Sequence, residues 1–218
     1  MLRDISVTVR DGAPVWPGDT PTSCRWMSSI GQGASVNVSA MTTSPHAGTH
    51  ADAPLHVRDG WPGSHELPLD IFCGEAIVIS LPHTDAEIDP EELESLLPDG
   101  ALERVILKTG RTVALGSFPE AWPTLSEQSA RMLLGRGLRL LGVDAPSVDL
   151  RESRTLPVHH MIFSGGAFVL ENLDLRRVPD GRYELLAFPL KIMALDAAPV
   201  RAVLRDLDVP TASPMSHI

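Results

Sequence analysis

The chain has 218 residues, with 18 Lys+Arg against 28 Asp+Glu, giving a formal net charge of −10 with His neutral. That balance, with no basic stripe to offset it locally, excludes broad nucleic-acid binding, which draws its affinity from clustered cations. Hydrophobic residues at 43% and charged residues at 21% mark a globular chain able to bury a core, and one domain is expected at this length.

The N-terminal stretch Met1-Leu-Arg-Asp-Ile-Ser-Val-Thr-Val-Arg10 lacks the uninterrupted apolar run of a secretory signal or membrane span, so a cytoplasmic protein without membrane contact is expected. Alternating or β-branched runs bounded by Gly, Pro or Asp predict strands at residues 4–9, 35–42, 76–81, 104–109, 138–143, 167–171 and 183–188. The clearest helix starts at Asp89, where Asp89-Pro90-Glu91-Glu92 offers an N-cap, a first-turn proline and a capping-box glutamate ahead of Leu93, Leu96 and Leu97. A second helix is expected from Ser126 to about Leu134, closed by Gly135 and Gly137. A third is expected after Pro199, with Val200, Val203, Leu204 and Leu207 on one face. Together these predict a single mixed α/β domain over residues 1–207, with a mostly β core and peripheral helices, then a polar, flexible tail at 208–218. Cys24 and Cys73 have no CxxC spacing and are expected as small buried residues.

The segment His46-Ala-Gly-Thr-His50-Ala-Asp52-Ala-Pro-Leu-His56 places three imidazoles and a carboxylate within eleven residues. Pro45, Gly48 and Pro54 oppose a continuous helix. In an extended chain, alternate residues would put His46, His50, Asp52 and His56 on one side. Imidazoles and carboxylates without thiolates suit a borderline divalent ion such as zinc, in an open catalytic site rather than a closed finger. A second cluster, His159-His160, precedes Glu171, which ends the apolar run Ala167-Phe-Val-Leu170. A carboxylate emerging from a buried strand needs a compensating partner, and with the first cluster it suggests a second metal ion bridged by Asp52. Trp16, in Val15-Trp16-Pro17, is either packing before a turn or a wall of the site. Turn formation accounts for Asp144 and Asp149, packing for Trp26, Trp61 and Trp122, and His65, His83 and His217 join no constellation.

The pattern His46-x-Gly-Thr-His50-x-Asp52-x-Pro-x-His56 resembles the signature of the metal-dependent cyclase superfamily. Asp4-Ile-Ser6, Val15-Trp-Pro-Gly-Asp-Thr-Pro21, Leu67-Pro-Leu-Asp70, Gly142-Val-Asp-Ala-Pro-Ser-Val-Asp149, His159-His160, Leu170-Glu171 and Pro189-Leu-Lys191 extend the resemblance to the bacterial kynurenine formamidases, over all but the tail beyond Leu207. The resemblance implies a swivelling β/β/α-type fold and a homodimeric, zinc-dependent hydrolase that converts N-formyl-L-kynurenine and water into L-kynurenine and formate in tryptophan degradation. It further implies two zinc ions per subunit, with manganese as the alternative, bound by His46, His50, Asp52, His159 and Glu171. In the same reading His56 is the proton donor and acceptor and Trp16 lines the substrate pocket. Val57 departs from the aromatic residue expected after the last motif histidine, and the neighbouring His160 leaves the ligand within that pair open. Two other readings remain: an isatin-hydrolase-like amidohydrolase of the same superfamily, and a non-catalytic, metal-stabilised binding domain, which would need a closed coordination shell.

Overall fold

A computed structural model describes residues 1–81 and 87–207. In chain order the strands are β1 (Leu2–Asp4), β2 (Ser23–Ser28), β3 (Val38–Thr42), β4 (His50–Asp52), β5 (Cys73–Ser80), β6 (Glu87–Ile88), β7 (Arg104–Lys108), β8 (Thr124–Leu125), β9 (Leu140–Val143), β10 (Phe168–Glu171), β11 (Gly181–Leu186), β12 (Ala197–Pro199) and β13 (Val203–Asp206). The helices are α1 (Pro90–Leu96), α2 (Glu127–Gly135) and α3 (Pro157–Ser164). The main sheet has the order β1-β13-β11-β5-β7-β9-β10-β4-β12. Its centre, β5, β7, β9 and β10, is parallel, and antiparallel strands extend it on both sides. This is the mixed α/β class expected from the sequence.

Strands buried on both faces read as continuous apolar runs rather than alternating ones, and the central strands do so. Val105, Leu107, Leu141, Val143 and Val169 point to one face, where Leu93 of α1, Leu133 of α2 and Ile162 of α3 cover them. Ile106, Leu140 and Leu170 point to the other, where the curled sheet and its loops bring Ile5, Phe72, Leu173, Leu185 and Leu204 against them. Six of the seven expected strands exist with shifted ends, whereas the first, expected at 4–9, is the shorter β1 at Leu2–Asp4, and beyond Asp4 only Ser6 forms an isolated bridge, to Leu173. Asp89 caps α1 by accepting the Glu92 N–H at 2.9 Å, and Ser126 caps α2 by accepting the Ser129 N–H at 3.0 Å. Leu93 and Leu97 are buried as expected, whereas Leu96 is exposed.

Two expectations need correction, and one helix lies outside the expected elements. The segment after Pro199 is not a helix: Val203 and Leu204 lie in β13, paired with Asp4 and Arg3 of β1 on one side and with Leu186 and Leu185 of β11 on the other. Pairing both edges of this segment satisfies its backbone in the sheet, and tertiary pairing outweighs a short apolar pattern that fits either period. The cysteines are not buried, because Cys24 sits on the exposed β2–β3 hairpin and Cys73 is half-buried at the start of β5. The helix α3, unforeseen in sequence, starts without a side-chain cap from its own N-cap residue. Instead Asp149 accepts the Val158 N–H at 3.0 Å and the His159 N–H at 3.1 Å. The expected tail at 208–218, with His217, and also His83, lie outside the described residues.

Ile162 is fully buried between α3 and the sheet. Ile162→Ala is therefore expected to cost about 2–5 kcal/mol, read as a lowered midpoint in urea unfolding.

Candidate metal centre

The site is built around β4, whose three residues are all buried. Strand alternation puts His50 and Asp52 on the same side. The expected extended run breaks on either flank. Before β4, Gly48 adopts φ 69°, and a Cβ there would lie 2.7 Å from Val9 Cγ2, so glycine is needed both for the backbone and for the close approach. After β4, Pro54 opens a single 3₁₀ turn, Pro54–His56, in which the His56 N–H donates to the Ala53 carbonyl at 2.8 Å. These turns fold His46 and His56 back over β4 until their ring centroids lie 4.4 Å apart. The neighbouring strands supply the rest. β10 sets Glu171 opposite His50, α3 brings His159, and β12 pairs Ala197 with Asp52, which leaves Asp196 at the site's edge.

The donor atoms converge on two points. Asp52 Oδ1 lies 3.1 Å from His46 Nδ1 and 3.3 Å from His50 Nε2, with Glu171 Oε2 3.6 Å from the same His50 nitrogen. Asp52 Oδ2 and Glu171 Oε1 lie 3.2 Å and 3.3 Å from His159 Nε2. Each carboxylate thus offers one oxygen to either point. The other nitrogen of each of these histidines is held by an acceptor: His46 Nε2 by Asp196 Oδ2 at 3.0 Å, His50 Nδ1 by the Gly48 carbonyl at 2.9 Å, and His159 Nδ1 by Asp149 Oδ2 at 2.7 Å. An imidazole that donates through one nitrogen presents a lone pair at the other, as metal-binding histidines do. His50 Nε2 and Asp52 Oδ1 face each other in the interior without a hydrogen-bond partner. Lone pairs meeting in a low-dielectric interior require a cation between them. Two groups, His50, Asp52 and Glu171, and His46, Asp52 and His56, have donor atoms close enough together to hold a divalent ion, and the donor set, imidazole and carboxylate without thiolate, fits zinc chemistry.

Protons take the cation's place in the metal-free protein. Burial works against a charge on His46 and His50, but Asp52, joined by Asp196 for the first and Glu171 for the second, outweighs it and pushes them up to about 10 and about 9. His159 is likewise raised by Asp149, Asp52 and Glu171 against burial. Asp52, despite full burial, is held well below the usual carboxylate range by His50, His159 and His46.

A cavity of about 540 Å³ opens onto His46, His50, His56, His159 and Glu171, and Pro14, Trp16, Phe118, Pro146 and Leu156 wall it. Trp16 both packs and lines the cavity: its ring meets Phe118 edge-on at 5.3 Å and the buried Trp122 at 5.9 Å. His160 points elsewhere, against Trp61, and Val57 packs toward the helix-covered core. His65, in the 3₁₀ turn Ser64–Glu66, accepts the Ala194 N–H at 3.3 Å. Sequence reasoning missed two carboxylates. Asp149 lies in a turn-forming stretch, yet it is buried against His159. Asp196 carries a single weak signal in sequence, a lone acid among the small and apolar residues of Ala194-Leu-Asp196-Ala-Ala.

A family model described as “Putative cyclase” matches residues 3–150. The chain belongs to the cyclase family. This cyclase-family chain is 43% identical over 212 residues to a kynurenine formamidase of Salinibacter ruber (strain DSM 13855 / M31), covering 96% of the chain and 99% of that protein. Among solved structures it is similar to a potential metal-dependent hydrolase with cyclase activity, at 29% identity and a TM-score of 0.81, covering 96% of this chain and 99% of that one. An isatin hydrolase bound to the product analogue thioisatinate shares the fold at 20% identity and a TM-score of 0.80, with 93% and 91% of the two chains covered.

Because His46 and His50 hold protons at neutral pH in the metal-free protein, loading a divalent ion must displace them. Metal affinity is expected to tighten as pH rises toward 9, and zinc titration calorimetry in buffers of different ionisation enthalpy should show net proton release. Uptake without proton release would contradict the protonated metal-free site.

Proposed function

We propose that this protein is a zinc-dependent arylformamidase that hydrolyses N-formyl-L-kynurenine to L-kynurenine and formate in tryptophan degradation. The observation that carries the metal-dependent reaction is the buried, unbonded meeting of His50 Nε2 and Asp52 Oδ1 at the floor of an aromatic-walled cavity. The kynurenine formamidase that is 43% identical along nearly the whole chain supports the substrate.

In this reading His46, His50, Asp52 and Glu171 would hold one ion, and Asp52, Glu171 and His159 would hold a second. Bound there, such ions would supply a water of pKa lowered toward about 7 and a Lewis acid for a carbonyl oxygen. The chain's own groups do the rest. Trp16 and Phe118 receive the aryl ring and turn its formylamino group toward the cavity floor, while the apolar wall excludes bulk water. His56, whose ring lies 5.7 Å from that of His159, accepts a proton from the attacking water. It returns the proton to the aniline nitrogen as the C–N bond breaks, so that the amine departs neutral, and the formyl carbon, now bonded to the water oxygen, leaves as formic acid, which gives its remaining proton to solvent and becomes formate.

The test is hydrolysis of N-formyl-L-kynurenine by the purified protein, followed by kynurenine absorbance. Chelation should abolish turnover and zinc should restore it. His56→Ala should lower kcat by about 10²–10⁴-fold with zinc content unchanged, and Trp16→Ala should raise KM with zinc retained. No turnover by fully metallated protein would overturn the substrate, and loss of zinc in His56→Ala would make that residue a ligand.

The reading includes a homodimer in the cytoplasm. Among the described residues no helix is long and apolar enough to cross a membrane, and the exposed Cys24 thiol suits a reducing compartment. The β2–β3 hairpin leaves Trp26, Met27, Ile30, Val38 and Met41 exposed, Trp26 by 68%. Apolar side chains clustered on one projecting hairpin are better covered by a partner than by water. Light scattering should give the mass of a dimer, and Trp26→Glu should shift it toward the monomer. A monomeric wild-type chain would overturn the assembly.

A further inference from the structure

We propose that Asp196 is a positioning residue that holds the proton-transfer group His56 and the metal-facing His46 through one carboxylate oxygen. Its Oδ2 lies 3.0 Å from His46 Nε2 and 3.4 Å from His56 Nδ1. A carboxylate oxygen has lone pairs for two donors, so one atom serves both rings. Among the described residues these imidazoles are its only ion-pair partners.

The backbone on both sides of Asp196 is anchored to the site. The Asp196 carbonyl accepts the Ala53 N–H at 2.8 Å, and the Leu195 carbonyl accepts the Ser64 N–H at 2.8 Å. The next residue, Ala197, pairs with Asp52. Asp196 is therefore tied to the same strand that carries Asp52, and to the start of the 3₁₀ turn that carries His56.

This placement fixes a tautomer in each ring. His56, donating its Nδ1–H to Asp196, keeps the Nε2 lone pair for the proton it must collect, and the imidazolium so formed stands beside a carboxylate. His46, donating its Nε2–H, keeps the Nδ1 lone pair toward Asp52. The other two metal-facing histidines have separate acceptors, the Gly48 carbonyl and Asp149. Asp196 alone joins metal holding to proton transfer.

The His56 half rests on the function proposed above, whereas the His46 half does not depend on any substrate, so the test has two arms. In the first, with zinc saturating and its content checked, Asp196→Ala should lower kcat on N-formyl-L-kynurenine by about 10- to 100-fold with KM nearly unchanged, and should cost nothing more in a His56→Ala background. Asp196→Asn, which keeps an acceptor oxygen without the charge, should fall between wild type and Asp196→Ala. In the second arm, chelator competition should show zinc held about 10–100-fold less tightly by Asp196→Ala. Equal fractional losses of kcat with and without His56, in variants that melt like wild type, would overturn the His56 role, because Asp196 would then act by another route. Zinc retention equal to wild type would overturn the His46 role. Should no variant or wild type turn over the formamide, the chelator arm still decides the His46 contact.

Discussion

Asp52 and Glu171 are buried side by side, and among the described residues their charged partners are imidazoles rather than lysine or arginine. Removing a carboxylate from water costs several kcal/mol unless charge and hydrogen bonds are returned to it. Much of the architecture around β4 supplies that return. His46, His50 and His159 surround the pair, the Val148 N–H donates to Glu171 Oε1 at 2.9 Å, and Asp149 and Asp196 anchor two of the three rings from behind. In the metal-free protein protons on the histidines balance the pair, and each carboxylate divides its oxygens between two points, as a site for divalent ions requires.

The sheet explains why these groups meet. Four parallel strands end at β10, where the antiparallel β4 and β12 take over, and Glu171 is the last residue of β10. Sites in α/β proteins gather beyond the carboxyl ends of parallel strands, where loops diverge and leave room. Here the room is narrowed by the loop after β9, which is tied down at both ends. Asp144, pushed up by burial but held by Thr109 and the Gly110 N–H, binds that loop to the end of β7. Asp149 binds its far end to α3. The loop therefore fixes the helix that carries His159, and the buried Trp122, donating to the Asp149 carbonyl at 3.1 Å, supports Trp16 from below.

The division of labour among the carboxylates follows from depth. Asp52 and Glu171 are in the interior and face the donor points. Asp149 is buried but turned away from them, toward the backbone of α3 and one ring. Asp196 stands half-exposed at the rim, where its oxygen reaches the two rings nearest the cavity mouth. A group at the rim can serve a histidine that must gain and lose a proton, because water reaches it, whereas a fully buried one would strand the charge.

Some of this was legible in the chain alone. The His46–His56 segment is compressed enough that its ligand chemistry and family resemblance survive without coordinates, and the caps at Asp89 and Ser126 act on N–H groups three residues away, within reach of local rules. The elements that escaped depend on distant partners. The α3 cap is Asp149, nine and ten residues before the N–H groups it accepts, and Asp196 meets His56 and His46 across 140 and 150 residues. Val203 and Leu204 fit a helical stripe as well as a strand, and only pairing with β1 and β11 selects the strand. Sequence determined which chemistry was present, because residue type and close spacing are local properties. The tertiary structure decided which histidine of the pair faces the site and which carboxylates orient the rings, because hydrogen bonds depend on distance in space, and chain separation carries no record of it.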